Sequence, residues 1–186
     1  MQTTPGTSLS DGTTPTAALA RNRRLTLWVG VAVLVYVVDQ GSKWWAEHAL
    51  DDGRSRQVIG DLLQFRLTHN PGAAFSMGTG YTVVLTVIAL AVVVFTIRSA
   101  QRLGSTGWAI ALGLLLGGAL GNVTDRIFRD PAPFRGHVVD FIALPHYPIF
   151  NIADSAICVA AVLFVVQSVR GVHLDGRVES RGDSTS

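Results

Sequence analysis

Four aspartates lie within or beside strongly apolar segments of this chain, where an ionised carboxylate is costly unless a partner stabilises it. These residues are Asp39, Asp125, Asp140 and Asp154. Asp39 precedes Lys43 by one helical turn, so the two should share a helix face. Asp125 adjoins Arg126 and has Arg129 a turn away. A neighbouring cation keeps a carboxylate ionised and paired, so we expect Asp39, Lys43 and Asp125 to be structural polar residues.

Asp140 and Asp154 have no local cation. Asp140 lies in the apolar run 138–142, and Asp154 lies in a segment apolar enough to span a membrane. Two carboxylates in a low-dielectric site can share one proton, so that one acts as general base on a water and the other, with a raised pKa, as acid. Such a dyad would hydrolyse an amide through a tetrahedral diol. The residues alone leave a second interpretation open, in which each aspartate makes a separate structural hydrogen bond.

The segments that must position these aspartates are apolar throughout the chain. Of 186 residues, 48% are hydrophobic and only 15% are charged, which excludes an ordinary soluble domain. A helix needs about 20 mostly apolar residues to cross a membrane. The sequence therefore predicts a membrane all-α fold, a four-helix transmembrane bundle. The bundle lies within a domain of residues 25–170. A disordered cytoplasmic tail is predicted over 1–24, and a second cytoplasmic tail over 171–186. The predicted spans are 25–45, 80–97, 103–123 and 149–169.

The distribution of basic residues indicates how the spans are oriented, because Lys and Arg concentrate on the cytoplasmic side. Basic residues outnumber acidic ones in the two tails and the second connection, and acidic residues outnumber basic ones on the other side. Both termini are therefore predicted to be cytoplasmic. In the first connection, Leu63, Phe65 and Leu67 alternate with polar residues, which predicts a strand in a small extracytoplasmic β-rich cradle. The proline-rich third connection is expected to be mostly irregular, and a short helix or strand within it stays open.

Other polar residues gather at the same level as the aspartates, because successive helices alternate in direction. Asn122 and Arg126 end the third span, and Asn151 begins the fourth. These asparagines, and Asn70 in the first connection, could contact a substrate or could cap helices and bridge strands. Gly72 is expected in a tight turn. Three further glycines should permit close helix packing, and they are Gly117, Gly118 and Gly121.

Several other kinds of site are not indicated. The histidines His69, His137 and His146 show no metal-ligand spacing, so no metal is expected. The lone cysteine, Cys158, excludes a disulfide framework and is expected to be a packing residue. No Lys/Arg-rich run with interleaved aromatic residues is present, so nucleic acid is not an expected partner.

A serine/lysine mechanism is one alternative to the aspartate dyad. Ser42 and Lys43 cannot form such a pair within one helix, because adjacent residues point apart. Ser76 or Ser155 with Lys43 stays open and depends on the fold.

Five ordered motifs, all within residues 25–170, resemble those of the lipoprotein signal peptidases, also called signal peptidase II. The resemblance implies that Asp140 and Asp154 are catalytic, and that Asn70, Gly72, Asn122, Arg126 and Asn151 belong to the substrate-binding set. It also implies a β-rich cradle and a short amphipathic helix over the site. The motifs are Asp39-Gln40-x-x-Lys43, Asn70-x-Gly72-Ala73-Ala74-Phe75, Gly121-Asn122-x-x-Asp125-Arg126, Val138-Val139-Asp140-Phe141 and Phe150-Asn151-x-Ala153-Asp154-Ser155.

The same resemblance implies an aspartic endopeptidase of the bacterial plasma membrane, inhibited by the peptide antibiotic globomycin and active at the extracytoplasmic face. Its substrates would be prolipoproteins carrying diacylglycerol on the cysteine that follows the scissile bond. Membrane lipid is the other expected partner, no cofactor is implied, and a monomer is expected. Two other classes compete with this prediction. Acids in membrane helices also occur in proton-coupled transporters, and a structural or chaperone-like membrane protein would tolerate the loss of either aspartate.

Overall fold

The structure, a computed structural model, describes residues 15–72 and 82–179. Four of its helices are long and apolar enough to cross a membrane. They are α1 (Pro15–Ala49), α2 (Thr82–Ala100), α3 (Thr106–Phe128) and α4 (Ile152–Val169). Three strands form one antiparallel sheet in the order β1-β2-β3. The strands are β1 (Arg56–Ile59), β2 (Leu63–Asn70) and β3 (Val138–Ala143). The prediction of four apolar spans with a small sheet is thus confirmed.

Some element boundaries differ from the predicted ones. Helix α1 begins at Pro15, so residues 15–24 are helical where a disordered tail was predicted. Residues 17–24 are almost all Ala, Leu and Arg, which have high helix propensity, and Pro is favoured at the first helical position. The rest of that tail, residues 1–14, lies outside the described residues, as do Gly80 and Tyr81 at the predicted start of the second span.

The third connection contains one short strand, the alternative that its sequence left open. Residues 138–143 form β3, which pairs with β2, and the residues on either side are irregular. Its prolines lie on either side of the strand, where they do not interrupt the ladder. The short amphipathic helix implied by the resemblance is not found in 50–72 or 129–151, and residues 73–81 are not described.

Helix α3 is the most buried of the four spans and packs against the other three helices. Small residues allow this close approach. A Cβ at Gly117 would meet the Ala32 carbonyl oxygen of α1 at 2.6 Å, and a Cβ at Gly118 would meet the Ala153 carbonyl oxygen of α4 at the same distance. The prediction that these glycines permit close helix packing is confirmed. The packing sets the ends of α1, α3 and α4 side by side.

The sheet covers these helix ends and is held there by aromatic side chains. Phe141 of β3 packs with Ala46 and Leu50 of α1 in a buried cluster. The ring of Trp45 makes edge contacts with those of Phe65 and Phe141, at centroid distances of 5.4 and 6.2 Å. Successive side chains of a strand point to opposite faces, so Asp140 faces away from this cluster and contacts Asn151 at the start of α4.

At the other end of the bundle, residues 171–179 form a small hairpin instead of a free tail. Val172 and Val178 make a β-bridge, and the Leu174 carbonyl accepts a hydrogen bond from Gly104 N at 2.8 Å. The Trp108 indole N–H donates to the Val172 carbonyl, also at 2.8 Å. The hairpin is therefore attached to the connection between α2 and α3.

Replacing Gly118 by Ala should destabilise the bundle, because the new Cβ would lie 2.6 Å from the Ala153 carbonyl oxygen. Overpacking of this kind costs about 1–3 kcal/mol. The matched control is Gly30→Ala, where nothing lies within 4 Å of the added Cβ and helix propensity favours Ala by about 1 kcal/mol. Thermal unfolding in detergent should give a lower midpoint for Gly118→Ala alone. Equal midpoints for the two variants would contradict this account of the α3–α4 contact.

Candidate functional site

Asn151 joins the two candidate catalytic aspartates. It caps α4, where its Oδ1 accepts from Asp154 N at 2.9 Å and its own N–H donates to Asp154 Oδ2 at 3.3 Å. This reciprocal capping box leaves the Asn151 amide NH2 available. That group donates to Asp140 Oδ1 at 2.7 Å. One residue therefore bonds both carboxylates, that of Asp140 through its side-chain NH2 and that of Asp154 through its backbone N–H.

The contact arises from the pairing of β3 with the residues before α4. Phe150 and Ile142 form a β-bridge, with Ile142 N donating to the Phe150 carbonyl at 2.8 Å and Phe150 N donating back at 3.1 Å. Asn151, the next residue, therefore lies beside Asp140 on the strand. The third connection folds back over the start of α4, as a shared site requires.

Each carboxylate also accepts a hydrogen bond from a second asparagine. Asn70 Nδ2 donates to Asp140 Oδ2, and Asn122 Nδ2 donates to Asp154 Oδ1, both at 2.8 Å. Asn70 pairs with Val138 across the sheet, so Asp140 is its diagonal neighbour on the same face. Both oxygens of each aspartate thus have an amide donor. Within the described part of the chain, neither aspartate makes an ion pair.

The two carboxylates have different surroundings. Asp140 is 1% exposed, whereas Asp154 is partly exposed at the end of α4. Burial raises the pKa of Asp140 to about 7, and the negative charge of Asp154 acts in the same direction, against the hydrogen bonds from Asn70 and Asn151. At neutral pH the pair can therefore hold one proton, as an acid/base dyad requires.

Lys43 lies at the centre of a buried charge network below the aspartates. Its Nζ is 2.8 Å from Asp39 Oδ2 and 2.7 Å from Asp125 Oδ2, and all three side chains are fully buried. The predicted Asp39–Lys43 pair is confirmed. The expected pairing of Asp125 with Arg129, one turn away, is confirmed at 2.8 Å. Arg126 makes no ion pair with Asp125 within the described residues, because adjacent side chains of α3 diverge. The other cation in contact with Asp125 is Lys43.

The charge network fixes the orientation of Asn122. Its Oδ1 accepts from Lys43 Nζ at 3.1 Å and from Asn151 Nδ2 at 3.2 Å, so its NH2 must face Asp154. Asp39 also holds α4 directly, since its Oδ1 accepts from Ala153 N at 2.9 Å. Lys43 and Asp39 therefore act on the aspartate pair through hydrogen-bonded neighbours, without touching it.

Arg126 combines a buried guanidinium group with an unused donor. The residue is 8% exposed, and its Nη1 has no hydrogen-bond partner within the described residues. Its charge lies close enough to interact with Asp140 and Asp154. A buried donor without a partner is costly, so this group is suited to bind the oxygen of an incoming molecule.

Gly72 occupies the predicted tight turn. Its φ is +118°, and its N–H donates to Asn70 Oδ1 at 2.8 Å. A side chain would be strained in this conformation and would meet Leu85 of α2. The Gly72 N–H fixes the side-chain oxygen of Asn70, so the side-chain NH2 of Asn70 is directed at Asp140. Ala73, Ala74 and Phe75 of the same motif lie outside the described residues.

A mainly apolar cavity of about 370 Å³ lies beside Asp154. Cys158 is exposed and lines it, so the expectation that this cysteine packs inside the bundle is wrong. One α4 turn separates Cys158 from Asp154, which explains why both reach the same space. The cavity is lined by Leu144, Tyr147, Phe150, Asp154, Ser155 and Cys158.

The alternative chemistries are not brought together. Lys43 is enclosed by two carboxylates, and Ser155 Oγ donates to the Asn151 carbonyl at 3.0 Å. Ser76 is not described. Across residues 15–72 and 82–179, no group of three or more His, Cys, Asp or Glu side chains could hold a metal ion.

Glu47 is a residue of the charge network that was not predicted from the sequence. It makes an ion pair with Arg129, and both side chains are partly exposed, so the buried network reaches the protein surface. Glu47 follows Lys43 by four residues on α1, and this helical spacing was the available signal. Nor was a contact predicted for Gln40, whose side chain donates to the Gly121 carbonyl at 3.1 Å.

Comparisons with known proteins agree with this arrangement. Two solved bacterial membrane enzymes, determined by the in meso method at 2.3 and 1.9 Å resolution, superpose with TM-scores of 0.69 and 0.68. The first is 27% identical to this chain, and the match covers 83% of this chain and 94% of that enzyme. The second is 28% identical, and the match covers 77% of this chain and 92% of that enzyme.

Curated relatives extend the similarity. The lipoprotein signal peptidase of Streptomyces coelicolor is 51% identical over 156 residues, 84% of this chain and 76% of the relative. That of Mycobacterium leprae is 48% identical over 158 residues, 85% and 79% of the two chains. Residues 31–170 match the family described as Signal peptidase (SPase) II. The chain therefore belongs to the signal peptidase II family.

Proposed function

We propose that this chain is a lipoprotein signal peptidase, an aspartic endopeptidase that uses Asp140 and Asp154 to cleave signal peptides from prolipoproteins. The relatives that share most of its length carry that name. The single observation that supports the residue assignment is the asparagine bridge. Asn151 bonds both carboxylates, and neither makes an ion pair within the described residues.

In the proposed reaction, a water lies between the two carboxylates. Asp154 takes one proton as the water oxygen bonds to the scissile carbonyl carbon, and protonated Asp140 donates its proton to the carbonyl oxygen. The product is a neutral tetrahedral diol. When the C–N bond breaks, the leaving nitrogen takes a proton and a diol hydroxyl loses one, which gives an amine and a carboxylic acid. The buried Asp140 suits the acid role because its pKa is about 7.

The neighbouring polar groups would hold the peptide. An extended backbone entering an apolar site needs partners for its amide groups, and Arg126 Nη1 is a donor that no residue in 15–72 or 82–179 uses. The apolar cavity beside Asp154 would receive a hydrophobic part of the precursor next to the scissile bond. Gly72 would belong to this binding set through its turn, which keeps Asn70 directed at Asp140. Such positioning lowers the entropic part of the barrier.

The site lies at one end of the spans, and this level suits a lipidated substrate. Diacylglycerol on the precursor's cysteine would stay in the adjacent leaflet while the signal helix lies in the bilayer. The charge distribution supports an extracytoplasmic site in the bacterial inner membrane, with both termini cytoplasmic. All the candidate site residues come from one chain, so a monomer would suffice. The peptidase domain would comprise residues 25–170, with cytoplasmic tails on either side.

The transporter alternative requires a polar path across the membrane. The middle of each span lacks Asp, Glu, Lys, Arg and His, and the carboxylates are confined to one end. This distribution favours chemistry at a membrane surface over proton transport through the bundle.

Asp140→Asn and Asp154→Asn should each abolish most cleavage of a diacylated model precursor, because the dyad then lacks its acid or its base. A loss of at least about 10²–10⁴-fold in kcat is expected. The matched control is Asp51→Asn, since Asp51 is an exposed carboxyl group away from the site. Thermal unfolding would verify that the variants fold. Normal cleavage by both folded dyad variants would refute the proposed mechanism and leave the transporter and structural alternatives.

Cleavage should decline as the pH rises through about 7, because Asp140 then loses the proton that it must donate. In Asn70→Ala the descending limb should move to higher pH, since the Asn70 hydrogen bond holds the pKa of Asp140 down. The measurement is kcat/KM against pH for both proteins. The limb belongs to the coupled pair. A limb that stays in place or moves to lower pH in the variant would contradict the assignment of Asp140 as acid.

Alkylating Cys158 with an apolar maleimide should inhibit cleavage, because the adduct would fill the cavity that adjoins Asp154. An inhibition of at least about tenfold is expected if substrate is displaced from the reacting position. Cys158→Ser is the control, and it should cleave normally with or without the reagent, since Cys158 is the single cysteine of the chain. Full activity after complete labelling would exclude this cavity from substrate binding.

A further inference from the structure

A second cavity, of about 710 Å³, lies at the opposite end of the bundle from the aspartates. Helix α2 starts near the site, where Thr82 Oγ1 donates to the Pro71 carbonyl at 2.7 Å, and it ends at this cavity. The walls are apolar along the helix and become polar and basic at its end. The lining residues are Ala91, Val94, Phe95, Arg98, Ser99, Gln101, Arg102 and Leu174.

One wall of the cavity belongs to the hairpin 171–179, which is firmly attached. The Leu174 carbonyl accepts from Gly104 N, and the Leu174 side chain packs against the buried cluster that contains Leu103 and Leu112. A Cβ on Gly104 would collide with the backbone of Asp175, so the two segments are in close contact. The cavity is therefore an open groove with α2 on one side and the attached hairpin on the other.

Two positive charges at the mouth of the cavity are not neutralised. Arg98 and Arg102 are exposed, and their side chains have no ion pair or hydrogen bond within the residues that the structure describes. The acidic groups of the hairpin are engaged elsewhere, with Asp175 3.3 Å from Arg177 and Glu179 3.2 Å from His173. The mouth thus presents a net positive field to the membrane surface.

We propose that this cavity binds an anionic glycerophospholipid. Arg98 and Arg102 hold the phosphate, since guanidinium groups bind phosphate oxygens in bidentate geometry. One acyl chain lies along Ala91, Val94 and Phe95. The helix from Ala91 to Arg98 is about 10 Å long, which is about two-thirds of one hydrocarbon leaflet of ~15 Å. An amphipathic ligand of this class matches both halves of the cavity, whereas free phosphate would leave the apolar half unused.

Native mass spectrometry of the full chain in neutral detergent would test this, with phosphatidylglycerol and phosphatidylcholine of the same acyl chains added separately. The wild-type protein should retain phosphatidylglycerol preferentially. Arg98→Gln/Arg102→Gln should bind it about 25-fold more weakly, at about fivefold per arginine near a membrane surface. The control is Arg21→Gln/Arg23→Gln, which removes the same charge at the same end of the bundle but outside the cavity.

Ala91→Trp tests the acyl-chain half without changing the charge. Ala91 is exposed and lines the cavity, so the variant should fold with the Trp side chain inside the cavity. It should weaken lipid retention as much as Arg98→Gln/Arg102→Gln does. Cleavage of the model precursor should be unaffected in all variants, which verifies their folding independently of lipid binding. Equal weakening in the two double variants would overturn the proposal in favour of general charge. Displacement of phosphatidylglycerol by inorganic phosphate, with normal retention by Ala91→Trp, would overturn it in favour of a phosphate site.

Discussion

The arrangement of this membrane protein depends on the burial of one ammonium group between two carboxylates. Lys43, Asp39 and Asp125 are fully buried in the bundle, where any one of them alone would be severely destabilising. Gln40 donates a further hydrogen bond to Asp39, and the charge of Arg129 balances that of the second carboxylate at Asp125. Because these groups come from α1 and α3, and Asp39 also accepts a bond from the first turn of α4, three helices must meet in one register.

This constraint carries through to the aspartate pair by a short series of hydrogen bonds. Lys43 donates a hydrogen bond to the side-chain oxygen of Asn122, so the side-chain NH2 of Asn122 faces Asp154 and donates to it. The sheet supplies the other half, because β3 carries Asp140 and β2 carries Asn70. The result is a pair of carboxylates held by amides instead of cations. Amide donors orient the carboxylates without placing a paired cation beside Asp140, so burial can raise the pKa of Asp140 to about 7.

Much of the fold and site could be predicted because the signals were local. Span length and composition located four apolar helices, and the spacing of Asp39 and Lys43 predicted their ion pair. The helical spacing of Asp125 and Arg129 likewise indicated their ion pair, whereas the contact of Asp125 with Lys43 joins two helices and has no local signal. A strand in the third connection was left open as an alternative, because the surrounding prolines obscured a short buried ladder. The bridge through Asn151 depends on the pairing of Ile142 with Phe150 across a segment with two prolines, which the pattern of apolar residues does not indicate.

The double use of Asn151 has a consequence for how such a protein can change. The residue caps the start of a membrane helix and at the same time aligns the two acids. A substitution there therefore changes thermal stability and catalytic rate together. Fraying of the first turn of α4 would separate the acids before the rest of the bundle opens. A substitution of Asn151 that raised the unfolding temperature would therefore also change catalysis. Stabilising substitutions are better sought on the lipid-facing surfaces of the helices.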